Sequence, residues 1–68
     1  MSASLEQSIL EFTEKVLVTV KRLREDTERV VVSGAVKDME QYKFLMGRLE
    51  GYRFVEDAVK DILSKNLD

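Results

Sequence analysis

The chain contains no cysteine and no histidine. Without cysteine it can form neither a disulfide nor a thiolate metal site, and without histidine it lacks the commonest metal ligand and catalytic base. No apolar run approaches the ~18 residues that a membrane-spanning helix needs. These absences weigh against most enzyme classes and against a membrane protein, so we expect a soluble intracellular protein.

Proline is also absent, and aromatic residues make up only 7% of the chain against 35% charged residues. This balance is typical of long amphipathic helices and predicts an all-α protein. A chain of 68 residues is near the lower size limit for an independently stable core, which favours partners. The net charge of −2 is spread over both signs and disfavours nucleic acid and anionic membranes as partners.

The first helix is predicted at about residues 4–32. Its start has a capping-box signal at Ser4 with Gln7, or alternatively at Ser2 with Ala3 and Leu5 behind it. Apolar residues then recur at steps of three or four, which predicts a single buried stripe with Leu10 and Leu17 on its flank. The members of this predicted stripe are Leu5, Ile9, Phe12, Val16, Val20, Leu23, Thr27 and Val30.

A β interpretation competes with this helix, because residues 16–20 and 30–32 are rich in branched side chains that fit strands. Residues 21–29 between them contain no turn residues and suit a helix. A continuous helix therefore needs fewer assumptions. Residues 30–37 remain open to three interpretations, which are a loop, a short strand and a helical kink.

Ser33 and Gly34 predict the reversal of the chain, since glycine suits the left-handed position just past a helix end. Asp38 and Gln41 have the capping-box spacing again, so we expect a turn at about 33–37 and a second helix at about 38–65. Two helices of roughly 27 residues, each about 40 Å long, would form one antiparallel hairpin domain over residues 1–68.

The second helix carries two neighbouring apolar sectors, which only Arg48 and Glu56 clearly interrupt. One contains large side chains, namely Leu45, Leu49, Tyr52, Val59 and Leu63. A hairpin can cover only one sector, and an apolar patch left in water usually marks an interface. We therefore predict a homo-oligomer, most simply a dimer forming a four-helix bundle of coiled-coil type. The predicted interface consists of Phe44, Gly47, Gly51, Phe54, Val55, Ala58 and Ile62.

Gly47 and Gly51 lie inside this second helix, where each should cost about 0.5–1 kcal/mol relative to alanine. Such a cost suggests that another helix packs closely against them. Two hypotheses follow: the close neighbour is another subunit, or it is the first helix of the same hairpin.

The sequence gives only weak support for catalytic or nucleic-acid-binding residues. The carboxylate pairs Glu11/Glu14 and Asp57/Asp61 read as solvated surface, and no motif predicts catalysis, a metal site or a cofactor. Lys21, Arg22 and Arg24 spread around the helix and precede acidic residues, which favours a solvated face over nucleic-acid binding. The two tyrosines at 42 and 52 are expected in the core or an interface, with their hydroxyls reaching water.

Residues 33–51 carry a Ser-Gly turn followed by Lys37-Asp38, then Tyr42-Lys43 and a helix with glycines at 47 and 51. This segment resembles small helical proteins encoded among the structural genes of tailed bacteriophages. The resemblance implies a virion component or assembly factor of the head or head–tail region, located in the virion or the host cytoplasm, with another virion protein as a partner. The alternative is a small intracellular regulator or inhibitor that binds a target protein through its exposed helix face.

Overall fold

A computed structural model describes the backbone of residues 2–67 and the side chains of residues 5–65. Two helices, α1 (Ser2–Val32) and α2 (Met39–Leu67), pack against each other as a helical hairpin. The described part of the chain contains no strand, which confirms the all-α prediction and makes the β interpretation of residues 16–20 and 30–32 wrong. Helix α1 begins at Ser2, two residues before the predicted start at residue 4. The side chains of both proposed caps, Ser2 and Ser4, lie outside the described residues.

The connection between the helices depends on Gly34, whose φ of 79° lies in the left-handed region. Ser33 closes the end of α1: its N–H donates to the carbonyl of Arg29 at 2.9 Å, and its hydroxyl donates to the carbonyl of Val30 at 2.9 Å. Glycine after the last helical turn has no Cβ to clash in this conformation. Residues 33–38 therefore form a turn, and the predicted role of Gly34 is confirmed.

The start of α2 is capped by Asp38, whose Oδ1 accepts a hydrogen bond from the N–H of Gln41 at 2.8 Å. The Gln41 side chain reaches back and its Oε1 accepts from the N–H of Lys37 at 2.8 Å. These bonds satisfy N–H groups that have no partner inside the helix. The predicted cap is confirmed, except that the return bond goes to residue 37 and not to Asp38 itself.

The face of α1 that packs against α2 differs from the predicted stripe. Its less exposed side chains alternate at steps of three and four, as expected where two helices wrap around each other. We call the following residues the inner stripe of α1: Leu10, Thr13, Leu17, Val20, Arg24, Thr27 and Val31. Val16, a member of the predicted stripe, and Glu28 are also half-buried, on its flank. Five residues of the predicted stripe are instead exposed: Leu5, Ile9, Phe12, Leu23 and Val30. The buried face is rotated toward Leu10 and Leu17, which the sequence had placed on the flank.

The inner stripe of α2 contains the predicted large-residue sector with one addition, the acidic Glu56. Its members are Leu45, Leu49, Tyr52, Glu56, Val59 and Leu63. Among the described side chains, only Leu45 and Leu49 are apolar and buried, with 8% and 3% exposed. The buried hydroxyl of Thr27 donates to the carbonyl of Leu23 at 2.9 Å, which satisfies it within α1. The apolar core of the hairpin is therefore very small.

We expect Gly34→Val to destabilise the hairpin by about 1–2 kcal/mol, because a branched side chain is strained in the left-handed region. A Cβ added at this position meets nothing within 4 Å, so the loss would report backbone conformation alone. Urea unfolding followed by circular dichroism measures it. Gly34→Asn is the matched control and should lose less, since asparagine tolerates this conformation. Equal stability of wild type and the valine variant would contradict the assignment.

Candidate protein interaction surface

Large apolar side chains remain exposed on both helices. Phe54 on α2 is 76% exposed and Phe12 on α1 is 69% exposed. We call the seven predicted interface residues the outer face of α2, and the structure leaves all of them exposed: Phe44, Gly47, Gly51, Phe54, Val55, Ala58 and Ile62. Burying a phenylalanine side chain contributes about 1.5–3 kcal/mol, so this exposure forgoes a large share of the available hydrophobic stabilisation. The outer face therefore has the composition of an interface.

Many of the exposed apolar residues share the same sequence position relative to the inner stripes. Several of them come one position before an inner-stripe residue, which turns them by about 100° to the same side of their own helix. On α1 these are Ile9, Leu23 and Val30, and on α2 they are Val55 and Ile62. The apolar surface of each helix thus extends mainly to this side of its inner stripe, although Val18 and Val32 are exposed one position after it.

Gly47 and Gly51 have no close neighbour within the hairpin. A Cβ built on either residue meets nothing within 4 Å. The hypothesis that the glycines relieve crowding against α1 is therefore wrong. They are exposed on the outer face, beside the exposed rings of Phe44 and Phe54.

An ion pair lies in the interface between α1 and α2. Nε of Arg24 donates to Oε1 of Glu56 at 2.6 Å, and Nη1 of Arg24 donates to Oε1 of Glu28 at 2.5 Å. Glu56 is only 6% exposed. The hydrogen bond that Arg24 donates to Glu56 is the main cause that raises the pKa of Arg24 above its usual value, so the guanidinium stays charged.

This pair corrects the sequence-based interpretation of both residues. Arg24 turns into the helix interface, so the weak basic segment loses one of its three cations as a nucleic-acid candidate. Glu56 is not an interruption of the apolar surface but part of the inner stripe. The spacing of Arg24 could have indicated its inward position, because it lies seven residues from both Leu17 and Val31 of the inner stripe.

Arg48 lies between two aromatic rings at the edge of the outer face. Its guanidinium carbon is 5.8 Å from the ring centres of both Phe44 and Tyr52, and its Nη2 donates to the Tyr52 hydroxyl at 2.8 Å. A cation at this distance is attracted by the ring faces. Tyr52 is half-buried and its hydroxyl lies at the surface, whereas Tyr42 is exposed.

The remaining acidic groups are arranged as surface charges. Asp61 pairs with Lys65 at 3.1 Å, and Arg29 pairs with Asp26 at 3.0 Å. Glu11 and Glu14 border a shallow depression formed by α1 alone. Over the described residues, no three acidic side chains come together as a metal site would require. Neither helix, over the same residues, is long and apolar enough to cross a membrane.

No known protein family matches this chain, and no curated protein or solved structure shows significant similarity to it.

We expect Arg24→Leu to lower the stability of the hairpin, because it leaves Glu56 buried without its main partner. Arg24→Leu/Glu56→Leu should recover stability to the wild-type level or above, since well-packed apolar residues often replace a buried ion pair without loss. Urea unfolding at one fixed protein concentration measures both. Arg29→Leu, which removes an exposed cation, is the matched control and should change stability little. A double variant as unstable as the single one would contradict the coupling.

Proposed function

We propose that this chain is a non-enzymatic assembly protein that associates with a second copy of itself through helix–helix contacts. The observation that carries the proposal is the exposed apolar outer face of α2, with Phe54 at 76% exposure. A patch of this kind on so small a chain is characteristic of an interaction surface. The proposed product is a dimer built as a four-helix bundle, or a larger helical oligomer.

The surface area supports association. The chain exposes 5621 Å², whereas a compact monomer of 7.9 kDa exposes about 4,400 Å². The surplus of about 1,200 Å² is comparable to the roughly 600–1,000 Å² that one partner contributes to a standard interface. A single copy therefore has as much unused surface as a dimer would bury.

We propose further that α1 and α2 run antiparallel. The six residues 33–38 span at most about 20 Å when fully extended, which is too short to return along a helix of 31 residues for a parallel pairing. In an antiparallel pair, positions that precede the inner stripes of the two helices lie on the same side of the hairpin. The exposed apolar residues that precede the inner stripes of both helices would then lie on one surface.

The resemblance of residues 33–51 to small structural-gene proteins of tailed bacteriophages supports a more specific proposal. In it, the chain is a virion component or morphogenesis factor, located in the virion or the host cytoplasm, and a second virion protein binds the assembled hairpins. Mass spectrometry of purified particles checks this proposal, with a permanent component expected at constant stoichiometry. Absence from particles together with co-purification of a host enzyme would favour the regulator alternative.

We expect sedimentation equilibrium at tens of micromolar to show a species of at least twice the 7.9 kDa chain mass. Phe54→Glu should shift this species to monomer while leaving the helical content intact, because it places a charge in the proposed interface. The matched control is Val18→Glu, which changes a side chain that is also exposed, at 64%, but is surrounded by charged residues of α1. Val18→Glu should leave the mass unchanged.

A wild-type chain that sediments only as a monomer at these concentrations would refute self-association. Equal effects of Phe54→Glu and Val18→Glu would show that the outer face of α2 has no special part in it.

We expect Gly51→Leu to raise the dissociation constant of the dimer about 5- to 150-fold, since overpacking a close contact costs about 1–3 kcal/mol. Within one hairpin the added side chain meets open space, and leucine favours a helix over glycine. The two effects therefore have opposite signs, and weaker association with undiminished helicity would identify an intermolecular contact. Glu25→Leu, on the charged face of α1, is the control for added apolar surface. An unchanged dissociation constant for Gly51→Leu would mean that no second copy packs on the glycines.

A further inference from the structure

We infer that the second copy packs across both helices of the hairpin, on the side where α1 carries an apolar residue every seven positions. This inference rests on the proposed self-association and the proposed antiparallel pairing, and it adds α1 to the interface predicted on α2. We call this surface the apolar side of the hairpin, and its residues are Ile9, Val16, Leu23 and Val30 of α1 with Val55 and Ile62 of α2.

On α1 the apolar side runs along the whole described helix. Each of its four residues comes directly before a residue of the inner stripe, and their spacing of seven keeps them on one flank of that stripe. Ile9, Leu23 and Val30 are 58%, 42% and 39% exposed, whereas Val16 is half-buried. These side chains therefore border the contact with α2 and still keep much of their apolar surface in water.

The opposite flank of each inner stripe is charged. Six residues occupy it, each directly after an inner-stripe residue: Glu14, Lys21 and Glu28 on α1, and Met46, Arg53 and Lys60 on α2. Only Met46 among them is uncharged, and it is half-buried. In an antiparallel pair, corresponding flanks of the two helices lie on the same side. The hairpin then has one apolar side and one charged side.

A contact that includes both helices matches the area that a dimer needs. α2 alone presents a strip about 43 Å long and ~10 Å wide, or roughly 430 Å², whereas one partner of a standard interface contributes about 600–1,000 Å². The two longest extents of the hairpin, 53 Å and 17 Å, enclose about 900 Å². A full side of the hairpin therefore has the required size, and one helix does not.

A second copy is the occupant that fits the apolar side. The one charged residue in the corresponding positions is Arg48, near the turn, and its guanidinium lies against the rings of Phe44 and Tyr52. Two apolar sides can therefore meet while burying few charges, whereas contact through the charged side would dehydrate five charged groups of each copy. In the resulting four-helix bundle, each helix contacts one helix of its own chain and one of the other.

The absence of cysteine from the chain allows a direct test, because an introduced thiol is then the only one. Ile9→Cys and Leu23→Cys place it on the α1 part of the apolar side, and Val55→Cys places it on the α2 part. Cysteine is itself small and apolar, so the side keeps its character. At a concentration where about nine-tenths of the chain is dimeric, each thiol should react with a maleimide about tenfold more slowly than at high dilution, because only the free chain exposes it.

Val18→Cys is the matched control, because Val18 is 64% exposed and directly follows Leu17, whereas Val16 directly precedes it. Its reaction rate should not change with concentration. Sedimentation of each variant establishes its mass. In a dimeric chain, protection on one helix only, at none of these positions, or equally at Val18→Cys would overturn the inference while leaving self-association intact. A monomeric wild type would instead refute self-association itself.

Discussion

Two helices can shield only one stripe of each other, and this constraint determines most of what the hairpin looks like. Only Leu45 and Leu49 are buried apolar side chains in the described part of the chain. So small a core offsets little of the conformational entropy lost when two helices of 31 and 29 residues become ordered. A partner that covered the outer surface would therefore add substantially to the stability of the hairpin. The exposed phenylalanines, the glycines without close neighbours and the surplus surface area all follow from the limited contact between two helices.

The Arg24–Glu56 pair makes the contact between the helices specific at some expense of stability. A buried ion pair often contributes less than apolar side chains of similar volume, because both groups lose hydration. A shift of α2 by one heptad would bring an apolar residue of its inner stripe to Arg24 and leave Glu56 buried without that cation. Such a shift is therefore strongly disfavoured. The ion pair fixes the alignment that the few buried leucines alone would specify weakly.

Local signals predicted the parts of the fold that depend on few residues. The turn at Gly34 and the cap by Asp38 each depend on neighbours within four positions, and both were readable from the sequence. The inward face of α1 was not, because apolar residues cover more of α1 than one contact can bury. Packing against α2 determines whether Leu17 or a neighbouring apolar residue of α1 is buried.

Some features of the candidate site could likewise be predicted from local sequence, whereas others depend on contacts between the helices. Helical projection of the sequence separated the two apolar sectors of α2, and the structure covers one of them while leaving the other exposed. The sequence could not say which neighbour the glycines have, because that depends on distances between helices. It also missed the pairing of Arg24 with Glu56, since the two residues are 32 positions apart and each resembles an ordinary surface charge when viewed on its own helix.

The elongated shape of the hairpin affects how it diffuses. Its extents are 53 × 17 × 13 Å and its radius of gyration is 15.8 Å, a value that a compact chain reaches only at about 180 residues. Frictional drag follows dimensions and not mass. A single copy would therefore elute from a sizing column well ahead of globular standards of equal mass and imitate an oligomer. For a rod of this kind, light scattering or native mass spectrometry distinguishes one copy from two, whereas elution volume does not.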